Sequence, residues 1–401
     1  MGNDQPRWTA DPNAEETWYK TDNSDTNVAR ANDSISIRRN GYTLSEWFES
    51  PYMDKLRQDL NNGVQNRMCG RCWRDEARSG SSIRQRMNEK MADLIPESPA
   101  ITYLDLKLTN QCNLKCRMCG PSDSHLIAQD VVDLEKMNLT VPFNYANAMG
   151  PRRRKQHLTV CGTAQTQADI LQLLPSIKVM KITGGEPTLQ PEVLELLDTA
   201  ISKGYAKNIY LNITTNATKF TDRFLDKIEQ FSGCKFNISV DGYGSVYDYI
   251  RYPFTWAKFD ARIQLLEQRY TANASIDWGY TAVPQLFNIE NLHKLQQRVG
   301  PERLYLNNVL HPDGIYNSLD IVPTDILQEA INSIELIKGQ SEILINYLNQ
   351  LVTQDIQHTQ ERLRDMVDSI TAVDTLRKQQ YNEYLEPNTV AFIEQSQRTV
   401  A

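Results

Sequence analysis

Through the first 40 positions Asn, Asp, Ser and Thr recur with no apolar period, which predicts irregular chain. Over 43–62 the pattern changes: Trp47, Phe48, Tyr52, Leu56 and Leu60 form one apolar stripe at helical spacing, with Ser45 as the expected cap. From about 101 the period shortens to two. The runs ITYLDLKL (101–108), IKVMKIT (177–183), NIYLNITT (208–215), KFNISV (235–240), SIDWGYTAV (275–283) and RLYLNNVL (303–310) read as strands. Helical patterns lie between most of them, as in 191–204 and 221–231. Alternation of this kind predicts an α/β fold in which βαβ units build a parallel sheet. Six strands give an open partial (β/α)6 barrel, short of the complete eight. The connection 120–170 is long and carries the basic run PRRRK (151–155), and connections of that length are usually functional or mobile. Residues 324–381, rich in Leu, Ile, Gln, Glu and Asp, read as helices.

Composition narrows the classes. A chain of 401 residues with 40% hydrophobic and 23% charged positions is globular. No run of 18 apolar residues predicts a membrane span, and the polar start MGNDQPRWTADPNAEETW has no apolar h-region, so a soluble, cytoplasmic protein is expected. A net charge of −7 and the lack of any RRM-like or zinc-finger pattern argue against general nucleic-acid binding.

The cysteines change the picture most. Five of the seven fall in two tight groups, Cys69 with Cys72 and Cys112 with Cys116 and Cys119. In a cytoplasmic chain such groups read as metal ligands before disulfides. In LTNQCNLKCRMCGP (108–121) three thiols on one short loop follow the first strand. Four cysteines would close a [4Fe–4S] cluster, whereas three leave one iron open, and an open coordination position is what separates catalytic from structural metal sites. The competing reading is a zinc site completed by His125, although no second Cys/His pair follows nearby.

The Cys-x3-Cys-x2-Cys loop after one strand and KITGGEPTL (181–189) after the next resemble the radical S-adenosylmethionine (SAM) superfamily. The resemblance implies a [4Fe–4S] cluster on Cys112, Cys116 and Cys119. It also implies SAM bound at the open iron and a reducing donor such as flavodoxin or ferredoxin. Reductive cleavage of SAM would then yield a 5′-deoxyadenosyl radical that abstracts hydrogen from a substrate. Gly184 and Gly185, lacking side chains, let backbone approach a ligand closely. By resemblance GGEP meets the SAM amino group, with Glu186 accepting its hydrogen bonds or bracing the loop. Asn216, Ser239 and Asp241 sit at strand ends that face the same mouth. Ser239 and Asp241 are candidates for the ribose or the methionine end of SAM, and Arg251 suits its carboxylate. The alternative for Arg251 is an ion pair. Met118 stands where many members carry an aromatic residue, and its adaptable thioether can fill that role.

Residues 43–85 resemble one half of a SPASM or twitch module, which implies an auxiliary iron–sulfur cluster or zinc at Cys69 and Cys72. The expected upstream cysteines are missing, and only Cys161 and Cys234 are spare. The expected organisation is an irregular segment 1–42, a half-SPASM/twitch-like segment 43–96, a radical SAM core 97–315 and a helical region 316–401. SPASM and twitch enzymes often modify peptides or proteins, which makes a peptide or protein the first expectation for the substrate, with a small molecule open. Two rival readings are a non-catalytic scaffold that binds cluster or SAM, and a zinc-binding interaction module.

Overall fold

The computed structural model describes residues 43–66, 69–146, 164–270, 275–306, 316–354 and 359–400. PRRRK and Cys161 lie outside them. The described residues fall into two compact units, one taking in 43–104 and 164–179, the other 105–146 and 180–400. Among the described residues no helix is long and apolar enough to cross a membrane.

The strands are β1 (Tyr103–Lys107), β2 (Val179–Thr183), β3 (Tyr210–Thr215), β4 (Gly233–Ser239), β5 (Ile276–Thr281) and β6 (Leu304–Tyr305). They form one six-stranded parallel sheet in sequential order that does not close on itself. The predicted strands are therefore present in the predicted open arrangement, the last of them as Leu304–Tyr305, while 307–310 of the run RLYLNNVL lie outside the described residues. Sequential order follows from the connections, because each helix returns the chain to start a parallel neighbour. Helices Pro191–Ser202, Asp222–Ile228 and Trp256–Tyr270 occupy the crossovers and bury Val193, Leu197, Leu225, Ile228, Ile263 and Leu266. Cys234 belongs to β4 itself, one residue inside a strand whose pattern suggested a later start. It is fully buried between Leu211 and Ile276 of the neighbouring strands.

The two faces of the sheet differ. One carries Leu106, Ile182, Leu211, Ile213, Phe236, Ile238 and Tyr280, all buried. The other carries Asp105, Lys107, Lys181, Asn212, Thr214, Lys235, Asn237, Ser239 and Asp277, half-buried or exposed. Parallel strands covered on both faces normally read as continuous apolar runs. Here the strict alternation records a second face that stays polar. Its groups satisfy one another: Lys181–Asp105 at 2.8 Å, Lys235–Asp277 at 3.5 Å and the amides of Asn237 and Asn212 at 2.5 Å.

In the unit containing 43–104, the apolar stripe is split over two helices, Leu44–Phe48 and Pro51–Asn61. The cap is Thr43, two residues before the expected Ser45. Thr43 and Glu46 bond reciprocally in a capping box, while Ser50 caps the second helix and Pro51 occupies its first turn. Arg57 bridges the break, donating to the Phe48 carbonyl at 2.8 Å with its guanidinium 4.5 Å from the Phe48 ring.

In the other unit, the predicted C-terminal helices are Thr324–Ser333, Glu342–Thr353 and Gln360–Arg377, followed by Pro387–Val400. The connection after β1 holds helices His125–Lys136 and Phe143–Ala146. Gln360–Arg377 packs Ala372 and Val373 against Ile127, Val131, Leu134 and Tyr145. Inside this apolar contact Arg377 donates to Asp130 at 3.1 Å and to the Tyr145 hydroxyl at 2.8 Å, and Lys115 reaches the same carboxylate at 2.5 Å. Asp130 and Arg377 are both almost fully buried.

Removing one member of a buried pair strands the other charge, at a cost of about 3–5 kcal/mol. Asp130→Asn is accordingly expected to lower the urea unfolding free energy by roughly that amount. Lys136→Ala breaks only an exposed pair with Asp133 and should leave the transition within error.

Candidate active site

The chain leaves β1 at Lys107 and enters the cysteine loop. Few of the loop's peptide groups bond within it: Cys119 N–H reaches the Cys116 carbonyl at 3.1 Å and Leu114 N–H reaches Cys112 Sγ at 3.4 Å. Gln111 N–H also bonds Thr109 Oγ1 at 3.1 Å, and several other groups are held from outside, as buried peptide groups require. Lys115 and Arg117 N–H donate to the Tyr252 and Ile250 carbonyls at 2.7 and 3.0 Å. Asn144 Nδ2 donates to the Arg117 and Cys119 carbonyls at 3.1 and 3.0 Å, and Ser124 Oγ donates to the Leu114 carbonyl at 2.7 Å. His125 Nδ1 accepts from Cys112 N–H at 3.2 Å. That nitrogen is thereby engaged, which weakens the case for His125 as a zinc ligand.

The GGEP segment meets this loop directly. Gly185 N–H donates to the Thr109 carbonyl at 3.0 Å and Glu186 N–H to the Gln111 carbonyl at 2.8 Å. A Cβ on Gly185 would lie 2.2 Å from the Gln111 carbonyl oxygen, so only glycine permits the approach. Gly184 has φ +131°, a region that excludes L side chains. Sequence reasoning placed a ligand against these glycines; at Gly185 the close neighbour is the cysteine loop itself.

Glu186 is fully buried and both of its carboxylate oxygens are taken. One accepts from Thr188 N–H at 3.2 Å, Thr188 Oγ1 at 2.7 Å and Thr215 Oγ1 at 2.7 Å; the other accepts from Asn216 N–H at 2.7 Å. Burial pushes its carboxyl up, against the pull of these four bonds. Of the two roles open to Glu186, these contacts are those of a brace. Asn216 continues the line, donating to Asn113 Oδ1 at 3.0 Å with Cys112 Sγ 3.8 Å away.

Cys112 and Cys116 are buried and Cys119 is half-buried; Leu114, Met118 and Phe254 pack with them. Met118 thus packs against the thiols. Phe254 was not singled out by sequence reasoning, since nothing in YPFTW marks it as a neighbour of the thiols. Burial pushes the Cys112 thiol up to about 12. A hydrogen bond between Cys119 and Cys116 drives Cys116 below and Cys119 above the ordinary thiol range. The guanidinium of Arg251 favours the thiolate at all three. Arg251 itself is buried, its Nε 2.7 Å from Asp241 Oδ2, and Asp241 Oδ1 accepts from Val283 N–H at 2.7 Å. Ser239 is half-buried at the end of β4.

Among the described residues no three His, Cys, Asp or Glu side chains converge at the spacing of a single metal ion. In the other unit, Cys69 stands at the N-terminal boundary of helix Gly70–Ser79 without a side-chain cap bond, and Cys72 lies in the helix's first turn. The neighbouring Glu76 is already held by Arg84 at 2.8 and 2.9 Å.

The match to known proteins follows this geometry. Residues 106–275 match the model of the radical SAM superfamily. An uncharacterized protein of Methanocaldococcus jannaschii is 28% identical over 141 residues, 35% of this chain and 38% of that protein. A GTP 3′,8-cyclase of Microcystis aeruginosa is 27% identical over 144 residues, 35% of each. The chain thus spans little more than a third of these relatives. Among solved structures, anSMEcpe with bound AdoMet covers 59% of this chain and 57% of its own at 15% identity and a TM-score of 0.39. Streptococcus suis SuiB bound to S-adenosylmethionine covers 86% and 61% at 13% identity and a TM-score of 0.31.

Gly185→Ala is expected to push the Gln111 carbonyl away and open the loop. Iron bound after anaerobic reconstitution should fall by about tenfold. Gly204→Ala, strained by its φ of +75° but with a Cβ that meets nothing within 4 Å, is the control for backbone strain away from the loop and should keep its iron.

Proposed function

On the premise that residues 106–275 are a radical SAM domain, we propose that this chain is a radical SAM enzyme acting on a peptide or protein. The observation that carries the reading is three thiols on one loop at the mouth of an open sheet, with the loop's polar backbone already bonded to protein. Cys112, Cys116 and Cys119 would hold a [4Fe–4S] cluster. A bound cluster would offer its open iron to the amine and carboxylate of SAM and would supply the electron for reductive cleavage to methionine and a 5′-deoxyadenosyl radical.

The chain's own residues orient and shield that chemistry. Glu186 and Asn216 fix the ends of β2 and β3 against the loop. Arg251, held by Asp241, supplies positive charge beside the thiolates and is the proposed partner of the SAM carboxylate. Gly184 and Ser239 are the proposed contacts of the SAM amino and ribose groups. Leu114, Met118 and Phe254 keep water from the thiols, which protects a reactive radical from side reactions.

The polar face of the sheet supports the substrate class. Its amides and hydroxyls offer donors and acceptors in rows, as a peptide backbone requires. Lys181 and Lys235 are matched by Asp105 and Asp277, which leaves them poor partners for a triphosphate. Cys69 and Cys72 remain candidates for an auxiliary cluster or a zinc ion.

Anaerobically reconstituted protein given SAM and dithionite, standing in for flavodoxin or ferredoxin, should release 5′-deoxyadenosine and methionine, read by liquid chromatography and mass spectrometry. Cys112→Ala, Cys116→Ala and Cys119→Ala should each fall to background. A deuterated candidate peptide should pass its label into 5′-deoxyadenosine. Cleavage that survives in the triad variants sinks the site. A cluster that binds SAM without cleaving it favours a scaffold, and stoichiometric zinc without iron or sulfide favours an interaction module.

A further inference from the structure

Arg117 lies between the second and third cysteines of the triad and is fully buried, the largest side chain in the molecule to be so. A buried guanidinium must be hydrogen-bonded and charge-compensated to persist. Its Nε donates to the Tyr249 carbonyl at 3.1 Å. Its Nη2 donates to Asp374 and, at 3.1 Å, to Gln379 Oε1. The guanidinium carbon lies 3.5 Å from the Tyr249 ring centroid and 5.7 Å from that of Phe287. Asp374 is 257 residues further along the chain. It sits in the last turn of helix Gln360–Arg377, and its other oxygen accepts from Tyr381 N–H at 3.0 Å. Three residues on, Arg377 grips Asp130, which also holds Lys115 of the cysteine loop.

Two residues of the cysteine loop, Lys115 and Arg117, are thus tied to one helix terminus through separate carboxylates. Resting on the functional reading above, we propose that Arg117 and Asp374 are positioning residues. Their clamp sets the step from Cys116 to Cys119, so that presentation of the cluster to SAM depends on the C-terminal helix. An apolar core could hold the same helix in place, as Ala372 and Val373 already do against Ile127 and Val131. What it cannot supply is direction: a planar guanidinium bonded through Nε and Nη2 and stacked on an aromatic face fixes the orientation of the side chain, and with it the loop backbone. Arg117 touches no reacting group, and its effect passes through Cys116 and Cys119.

The test separates positioning from stability. Replacing a buried ion pair by apolar residues of similar volume often leaves stability intact, so the double variant R117M/D374L is the main probe, with R117K/D374E as the conservative one. The readouts are thermal unfolding, iron and sulfide content, the EPR spectrum of the reduced cluster with and without SAM, and KM and kcat for reductive SAM cleavage. R117M/D374L is expected to unfold near the wild-type temperature and to keep most of its iron. It should lose the SAM-induced change in the EPR line shape, and its KM for SAM should rise by about tenfold or more with a much smaller change in kcat. R117K/D374E, which keeps the charges and loses the fork, should fall between it and the wild type. A double variant whose EPR response and KM stay within about twofold of wild type overturns the clamp. A variant that fails in proportion to lost folding stability, with the surviving fraction normal by EPR, overturns it too. A wild-type chain that takes up no iron–sulfur cluster removes the functional reading as well, whereas a normal wild type beside unaffected variants removes the clamp alone.

Discussion

A loop that carries three thiols beyond the end of an edge strand has no ladder to hold it, and its peptide groups must find partners elsewhere or pay for their desolvation. Much of the architecture around residues 108–121 answers that constraint. The carbonyls of Ile250 and Tyr252, the amide of Asn144, the hydroxyl of Ser124 and the N–H of Glu186 each satisfy one group of the loop. Apart from Ile250 and Tyr252, these residues are far from one another in sequence. The loop is a point at which β2, the turn after helix Ser245–Ile250 and the connection after β1 are forced into one arrangement, and its shape is a property of the whole unit.

The same constraint explains how the acidic residues divide their work. Glu186 and Asp241 were both plausible ligand contacts at the mouth, yet each spends its oxygens on the protein. Glu186 bonds Thr188, Thr215 and Asn216, and Asp241 bonds Arg251 and Val283. A buried carboxylate with both oxygens bonded is a rigid object, and it gives the loop a fixed wall.

The strands were legible because the second face of the sheet is polar, so a period of two survives where parallel strands usually lose it. ITYLDLKL and KFNISV alternate plainly, and Asp105, Lys181, Asn212, Asn237 and Lys235 could have been assigned to one shared face from that alternation. The triad was legible because all its ligands lie within eight residues. The cap at Thr43 was missed by two positions because Ser45 and Thr43 are both good caps, and only the reciprocal bond to Glu46 distinguishes them. Glu186 was visible as a residue, but its role depended on Thr215 and Asn216 arriving from another strand. Arg117 gave no local sign, since an arginine next to a cysteine looks solvated until its partner 257 residues away is known.

That late segment alters how the C-terminal helices should be regarded. Helices appended to a barrel can be removed in principle if they only cover apolar surface. Here helix Gln360–Arg377 contributes buried charge, and buried charge has an asymmetric cost: the pair is close to neutral when complete and strongly unfavourable when one partner leaves. A chain that carries Lys115 and Arg117 in its cysteine loop is therefore committed to keeping Asp130 and Asp374. Asp374 in turn is useful only while the helix end, its left-handed Lys378 and the following turn at Tyr381 hold their geometry. The dependence runs in both directions, so the loop that gives the site its chemistry also gives the C-terminal region its reason to be ordered.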